Sequence, residues 1–258
     1  MNKLNKAMLM VTIAAISLMS AKAQDYKLSV SNPSSKTLHI KELNRVSVEA
    51  YDGTEILIEG ANKKDRSERA EGLKPLSARG QDNTGIGLNV VSEGNDINVF
   101  QVVRREQGKY TIKVPKGMKI EIEHTGQWEG GKIEVFGISS ELEISGRYNS
   151  VYMENITGPA LVNTVYGDVE AKFSSLSQVG PTSIVSVYSN VDITLPADVK
   201  ANVKLETPYG EAYSDLNIEF PKNLEMKKIS SIVEGTLNGG GVELAIKASY
   251  NNIYLRKK

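Results

Sequence analysis

The chain has 258 residues, balances 31 basic against 31 acidic side chains, and contains no cysteine and only two histidines. Charge balance removes the electrostatic reason to expect nucleic-acid binding. The lack of cysteine excludes disulfides, a lipid-acceptor thiol and a thiolate zinc site.

At the N-terminus, Lys3 and Lys6 precede an apolar run over residues 8–19, and Ala21-Lys22-Ala23 fits a small-x-small cleavage site. These features predict a signal peptide over 1–23 and a mature chain beginning at Gln24. The apolar run is shorter than the about 20 residues of a membrane span. No stable membrane anchor is therefore expected after cleavage, and the expected destination is the periplasm, the cell surface or the medium. Loss of Lys3, Lys6 and Lys22 leaves a slight acidic excess.

Residues 45–50, Asp52-Gly53 and residues 55–59 read as a strand, a tight turn and a second strand. Residues 86–90, 96–99 and 110–114 continue with strand-like alternation. Between them, residues 62–80 are charged, with Lys64, Glu68, Arg69 and Glu71 at helix-like spacings. That segment reads either as a solvated loop with one helical turn or as a binding insertion on a rigid scaffold. No Pro/Ser/Gly-rich linker divides the chain. A single domain over 24–258 is expected, with a less regular β-rich part to residue 120 and regular repeats from 121.

Counting forward from Ile120 and Ile122 places a corner at Gly126, whereas counting back from Ile133 and Val135 places it at Gly130. The difference marks a four-residue insertion within 126–131 that carries the only tryptophan, Trp128. A lone Trp in a glycine-rich turn either folds back over the core or is offered to a partner.

The second half repeats one pattern five times: a tyrosine, two turn-type residues, an aliphatic or small residue, then an aromatic or acidic one. The tyrosines are Tyr148, Tyr166, Tyr188, Tyr209 and Tyr250. The first steps are about 20 residues, the period of a stacked repeat, and the last is about twice that. Apolar or small residues stand six and four before each tyrosine, as in Leu142 and Ile144 or Ala160 and Val162. Others follow three and five after it, as in Val151 and Met153 or Val169 and Ala171. Alternation on both sides of a turn predicts strand, corner, strand. No repeat buries its apolar face alone, so the copies must share one core.

Stacked at one corner, Tyr148, Tyr166, Tyr188 and Tyr209 would form an aromatic ladder. The other reading is an open platform for sugar rings or peptide. Tyr152, Tyr213 and Tyr254 share a repeat position on a neighbouring face and favour an exposed aromatic surface. Glu170 and Asp192 also share it, about 5 Å apart on adjacent strands. Such a pair reads as solvated side chains or as an acid/base or calcium pair.

No catalytic signature accompanies these patterns. His39 and His124 are too far apart in sequence to suggest a metal pair, and neither sits in a nucleophile motif. Gly85-Ile86-Gly87 lacks the third glycine and following helix of a dinucleotide site. No catalytic residue, cofactor or metal is expected, and the chain is expected not to be an enzyme.

Residues 45–60, Glu71-Gly72-Leu73-Lys74-Pro75-Leu76, Asp82-Asn83-Thr84-Gly85-Ile86-Gly87-Leu88, and the ending with Leu237-Asn238-Gly239-Gly240-Gly241 and Asn252-Ile253-Tyr254-Leu255-Arg256-Lys257 carry a family resemblance. They resemble exported bacterial β-strand-repeat proteins, grouped as a domain of unknown function and often labelled putative adhesins. The resemblance spans most of the mature chain and implies no catalytic site. The corner residue is usually small in that family, whereas here it is tyrosine.

Together these features predict an all-β, single-stranded parallel β-helix or solenoid. Its expected role is a non-enzymatic, adhesin-like scaffold that meets a protein or glycan partner at the cell envelope, with Trp128, Tyr152, Tyr213 and Tyr254 as candidate partner-binding residues. The alternative is a protein that binds or cleaves polysaccharide through an acidic and aromatic groove.

Overall fold

The computed structural model describes residues 25–60, 68–74, 76–78, 80–102, 108–126, 130–221 and 231–258. The expected signal peptide and Trp128 lie outside the described residues. Two ten-stranded sheets hold nearly all the regular structure. In spatial order the first contains β1 (Asp25–Ser29), β4 (Glu55–Glu59), β9 (Tyr110–Pro115), β3 (Arg45–Tyr51), β11 (Gly131–Phe136), β13 (Asn149–Ile156), β15 (Val169–Phe173), β17 (Val191–Leu195), β22 (Ile253–Lys257) and β19 (Ala212–Ser214). The second contains β20 (Ile232–Leu237), β18 (Ala201–Glu206), β21 (Val242–Ala248), β16 (Thr182–Ser186), β14 (Ala160–Thr164), β12 (Leu142–Gly146), β10 (Lys119–His124), β2 (Thr37–Lys41), β8 (Asp96–Gln101) and β7 (Leu88–Glu93). A short ribbon pairs β5 (Leu76–Ser77) with β6 (Gly80–Gln81), and a 3-10 turn at Glu68–Ala70 supplies the helical turn expected within residues 62–80.

From β10 to β17 the chain alternates between the sheets, and each strand from β10 to β15 pairs in parallel with the strand two further on. One rung is thus one strand of each sheet. Ile122, Ile144, Val162 and Ile184 form a column in the second sheet, and Ile133, Val151, Val169 and Val191 one in the first. Because side chains alternate at period two, this register sends both columns inward. The columns are fully or almost fully buried and belong to one core cluster running from Val30 to Leu255. Ala212 and Ser214 depart from the pattern: Ala212 is only half-buried and Ser214 is exposed, because their rung ends the stack.

The first and last rungs that span both sheets lie inside the stack. The rung of β2 and β3 sits between those of β8/β9 and β10/β11, and the rung of β21 and β22 sits between those of β16/β17 and β18/β19. The ladder order expected from the sequence, with Tyr209 next to Tyr188, is therefore corrected: the last copy returns to fill the place between them.

A second correction concerns residues 45–59. Both strands form, but they do not pair as a hairpin, because β9 lies between β3 and β4. Val46 is opposite Tyr110 in a parallel pair, and Ile58 is opposite Ile112 in an antiparallel one. Tyr110, Ile112 and Val114 contribute three buried side chains at that place. The connection crosses over β9, held by the Tyr51 hydroxyl donating to the Glu55 carbonyl at 2.6 Å.

Antiparallel strands finish three of the four sheet ends: β4 and β1 beyond β9, β7 beyond β8, and β20 beyond β18. Edges covered this way offer no continuation of the parallel stack. Among the described residues, no helix is long and apolar enough to cross a membrane.

Candidate functional site

The corner after β12, β14, β16, β18 and β21 carries the tyrosines. Their backbone N–H groups climb from rung to rung: Tyr166 donates to Arg147 O, Tyr188 to Val165 O, Tyr250 to Val187 O and Tyr209 to Ser249 O, at 2.9–3.2 Å. Inside the corner, the small residue two before each tyrosine often carries a hydroxyl. Thr164 donates to Gly167 O at 2.7 Å, Ser186 to the same carbonyl at 3.1 Å, and Thr207 to Asn251 O at 3.0 Å, so these buried groups are satisfied. Gly167 has a steric reason as well, since a Cβ there would fall 1.8 Å from Asn149 O.

Registered this way, the rings stack in the order Tyr148, Tyr166, Tyr188, Tyr250, Tyr209, with centroids 4.8–4.9 Å apart and planes 6–10° from parallel. The Arg147 guanidinium lies 5.6 Å from the Tyr148 ring at one end. Except for the outer face of Tyr209 at the end of the column, ring faces are consumed by neighbouring rings. The column therefore acts as a structural ladder; a platform for sugar rings needs open faces.

A second column lies on the outer face of the first sheet. Its neighbours in order are Glu134, Tyr152, Glu170, Asp192, Tyr254 and Tyr213. Tyr213 and Tyr254 stack at 5.6 Å with planes 12° apart. Tyr152 is not with them: Glu170 and Asp192 intervene, a separation of about 14 Å at the strand spacing. Tyr152 is instead enclosed, with Lys132 and Lys172 ammonium groups 5.2 and 5.0 Å from its ring centre and Phe136 at 5.9 Å. Its hydroxyl donates to Glu154 at 2.5 Å, which raises its pKa above the ordinary tyrosine value.

Glu170 and Asp192 are Cα partners on adjacent strands, as the repeat register predicts. Each already has a cation: Lys172 lies 2.8 Å from Glu170, and Arg256 donates to both oxygens of Asp192 at 2.8–3.1 Å. Those pairs raise the pKa values of Lys172 and Arg256. Glu134 is held by Lys109 at 2.6 Å and Lys132 at 2.9 Å. The Lys109 hydrogen bond, helped by Lys132, outweighs burial and lowers the Glu134 pKa. A carboxylate already paired with a cation on the same face is poorly placed to bind calcium.

Sequence reasoning missed a polar ladder beside the tyrosines. Asn190 N–H donates to Asp168 Oδ1, Asn252 N–H to Asn190 Oδ1, and Glu211 N–H to Asn252 Oδ1, at 2.9–3.2 Å. The signal was Asp168, Asn190 and Asn252, each two after a repeat tyrosine, legible only once the rung order is known. His39 and His124 lie on opposite faces of the second sheet. His39 bridges Asp96 of β8 at 3.0 Å and Glu121 of β10 at 2.7 Å, while His124 is buried in its corner. Among the described residues, no cluster of three or more His, Asp or Glu side chains is placed to hold a metal.

At the far end of the second sheet, a groove of about 570 Å³ is bounded by Asn202, Lys204, Glu219, Phe220, Glu234 and Glu243. It is acidic and carries one exposed aromatic ring.

No family profile and no curated protein sequence matches the chain. Two solved structures are similar. A putative cell adhesion protein from Clostridium sporogenes is 13% identical, with a TM-score of 0.46, over 91% of this chain and 99% of that one. A putative adhesin from Bacteroides fragilis is 11% identical, with a TM-score of 0.34, over 91% and 96%.

Proposed function

We propose that the chain is an exported, non-enzymatic β-solenoid that serves as an adhesin-like interaction scaffold at the cell envelope. Its contact surface is the outer face of the first sheet, from Tyr152 to Tyr254 and Tyr213, and its partner is a protein or glycan. The alternation of strands between two sheets in one parallel register supports the solenoid reading. The segment over residues 1–23 supports export.

The observation that carries the functional reading is the internal pairing of Glu134, Glu170 and Asp192 with Lys109, Lys132, Lys172 and Arg256. Neutralised charges on this face leave tyrosine rings as the area a partner can desolvate, and aromatic anchors carry much of the energy of such contacts. Trp128 is a further candidate on sequence alone, as the aromatic residue of the repeat-breaking insertion.

Binding of purified protein to envelope material and to a panel of glycans tests this reading. The double variant Tyr152→Ala/Tyr254→Ala is expected to lose about tenfold or more in retention while still melting cooperatively. Unchanged retention would remove the face from consideration.

The groove beside Phe220 favours a second reading, polysaccharide binding through acidic and aromatic side chains. Under that reading Phe220→Ala, not the tyrosine variant, abolishes oligosaccharide binding.

A further inference from the structure

The first sheet ends on a strand that the parallel series leaves unfinished. Donors run along it from rung to rung: Val151 N–H to Asp168 O, Val169 N–H to Asn190 O, Val191 N–H to Asn252 O, and Ile253 N–H to Glu211 O, at 2.8–3.1 Å. Ala212 is the next member of that series, opposite Ile253. Among the described residues β19 pairs with β22 alone, so the Ala212 N–H points outward from the sheet edge. The backbone alternates direction at each residue, which sends the Ser214 N–H the same way.

Both aromatic columns end on this rung. Tyr209 stacks on Tyr250 and Tyr213 on Tyr254, each through one ring face. Tyr209 is 73% exposed and Tyr213 52%. Glu211 and Asp215, on either side of β19, are exposed carboxylates. The other three sheet ends are covered by antiparallel strands of this same chain.

We propose that β19 is a strand-addition site for an extended segment of another polypeptide, basic in character, with two aromatic residues four positions apart. Added in parallel and in register, its backbone carbonyls accept from Ala212 and Ser214, and its rings fall on Tyr209 and Tyr213. Main-chain bonds give such an addition affinity, and the side chains give it specificity. The register needs no new geometry, because an inner strand such as β17 already has neighbours on both sides in one alignment, with Val191 opposite Val169 and Ile253. Charge favours a basic segment over a second copy of this edge. Two β19 strands paired antiparallel about Tyr213 would set Glu211 opposite Asp215 of the partner copy, and like charges directly opposite are unfavourable. The site shares Tyr213 with the outer face proposed above, but its backbone donors and Tyr209 lie outside that face, and Tyr152 takes no part in it.

A labelled synthetic peptide of residues 249–258, Ser-Tyr-Asn-Asn-Ile-Tyr-Leu-Arg-Lys-Lys, is a suitable probe, since this sequence pairs with β19 from its inner side. Fluorescence anisotropy against the full chain should show saturable binding at least about tenfold tighter than for a scrambled peptide. Ala212→Pro removes an outward N–H at a position where an edge strand tolerates proline, and should weaken binding about tenfold. Tyr213→Ala should weaken it about fivefold through lost stacking, and Tyr152→Ala should leave it unchanged. If Ala212→Pro does not melt cooperatively, Tyr213→Ala decides alone. Equal binding of native and scrambled peptides, or wild-type affinity in every folded edge variant, overturns the proposal.

Discussion

The ring of Tyr250 stacks on that of Tyr188 at 4.8 Å with planes 10° apart, although Tyr209 is the next repeat tyrosine along the chain. In a stack that follows chain order, the last rung has one neighbour and frays first. Here the C-terminal rung has two. β22 is held on one side by Arg256 on Asp192 and on the other by Lys257 N–H donating to Asp215. The N-terminal rung is clamped likewise, with His39 of β2 bonded to Asp96 and Glu121 on the strands to either side. Of the strands that end the two sheets, β7, β19 and β20 come from within the chain, and β1 is the first described strand.

Ring deletions should follow position in the ladder. Tyr188→Ala loses two stacked neighbours and should cost about 1–3 kcal/mol beyond its buried area, whereas Tyr209→Ala loses one and should cost about half as much. Urea melts of the two variants give the comparison directly.

Core substitutions should separate the two faces of a strand. Ile184 is fully buried, and Ile184→Ala should cost about 2–5 kcal/mol through lost burial and a cavity. Val169→Asp should cost several kcal/mol by placing an unpaired charge in the same core. Its outward neighbour Glu170 loses only the exposed Lys172 pair, so Glu170→Ala should cost less than about 1 kcal/mol. Similar midpoints for all three in urea would show the alternation to be misassigned.

That alternation was legible because period-two patterning needs only neighbouring residues. Leu142, Ile144, Val151 and Met153 read as inward from sequence and are buried, and the shared position of Glu170 and Asp192 became a true cross-strand pair. Rung order was not legible. Nothing local to Tyr209 or Tyr250 states which strand each will lie beside, since all copies offer nearly the same edge. The same limit applies to residues 45–59, where Asp52-Gly53 carries a hairpin signal and β9, far along the chain, supplies the partner for both strands. At the candidate face, the aromatic column was visible in the repeats, but the lysines enclosing Tyr152 depend on cross-strand register.

Acid should weaken the fold in part through Glu134, which is 17% exposed. Lys109 and Lys132 hold its carboxyl below the ordinary value of 4.5. The folded protein thus binds that proton less readily than the unfolded chain, so the stabilisation is complete above 4.5 and lost as pH falls through the lowered value. Glu134→Gln should reduce stability by about 1 kcal/mol at neutral pH. The gap from wild type should close as pH falls below 4.5. A constant gap across the acid range would assign the loss to packing.

Removing residues 250–258 should abolish cooperative unfolding. The deletion takes the fully buried Ile253 and Leu255 from between β17 and β19 and parts Tyr188 from Tyr209. Circular dichroism melts of the shortened chain check this; loss of only a few degrees would mean that β22 is a peripheral strand.

Double-mutant cycles among the tyrosines test the interleaved ladder most directly. Tyr188→Ala and Tyr250→Ala should couple by about 0.5–1.5 kcal/mol. Tyr188→Ala and Tyr209→Ala, two rungs apart, should be additive within about 0.5 kcal/mol. Coupling between Tyr188 and Tyr209, with none between Tyr188 and Tyr250, would contradict the rung order and with it the place of β19 as the last strand of the first sheet among the described residues.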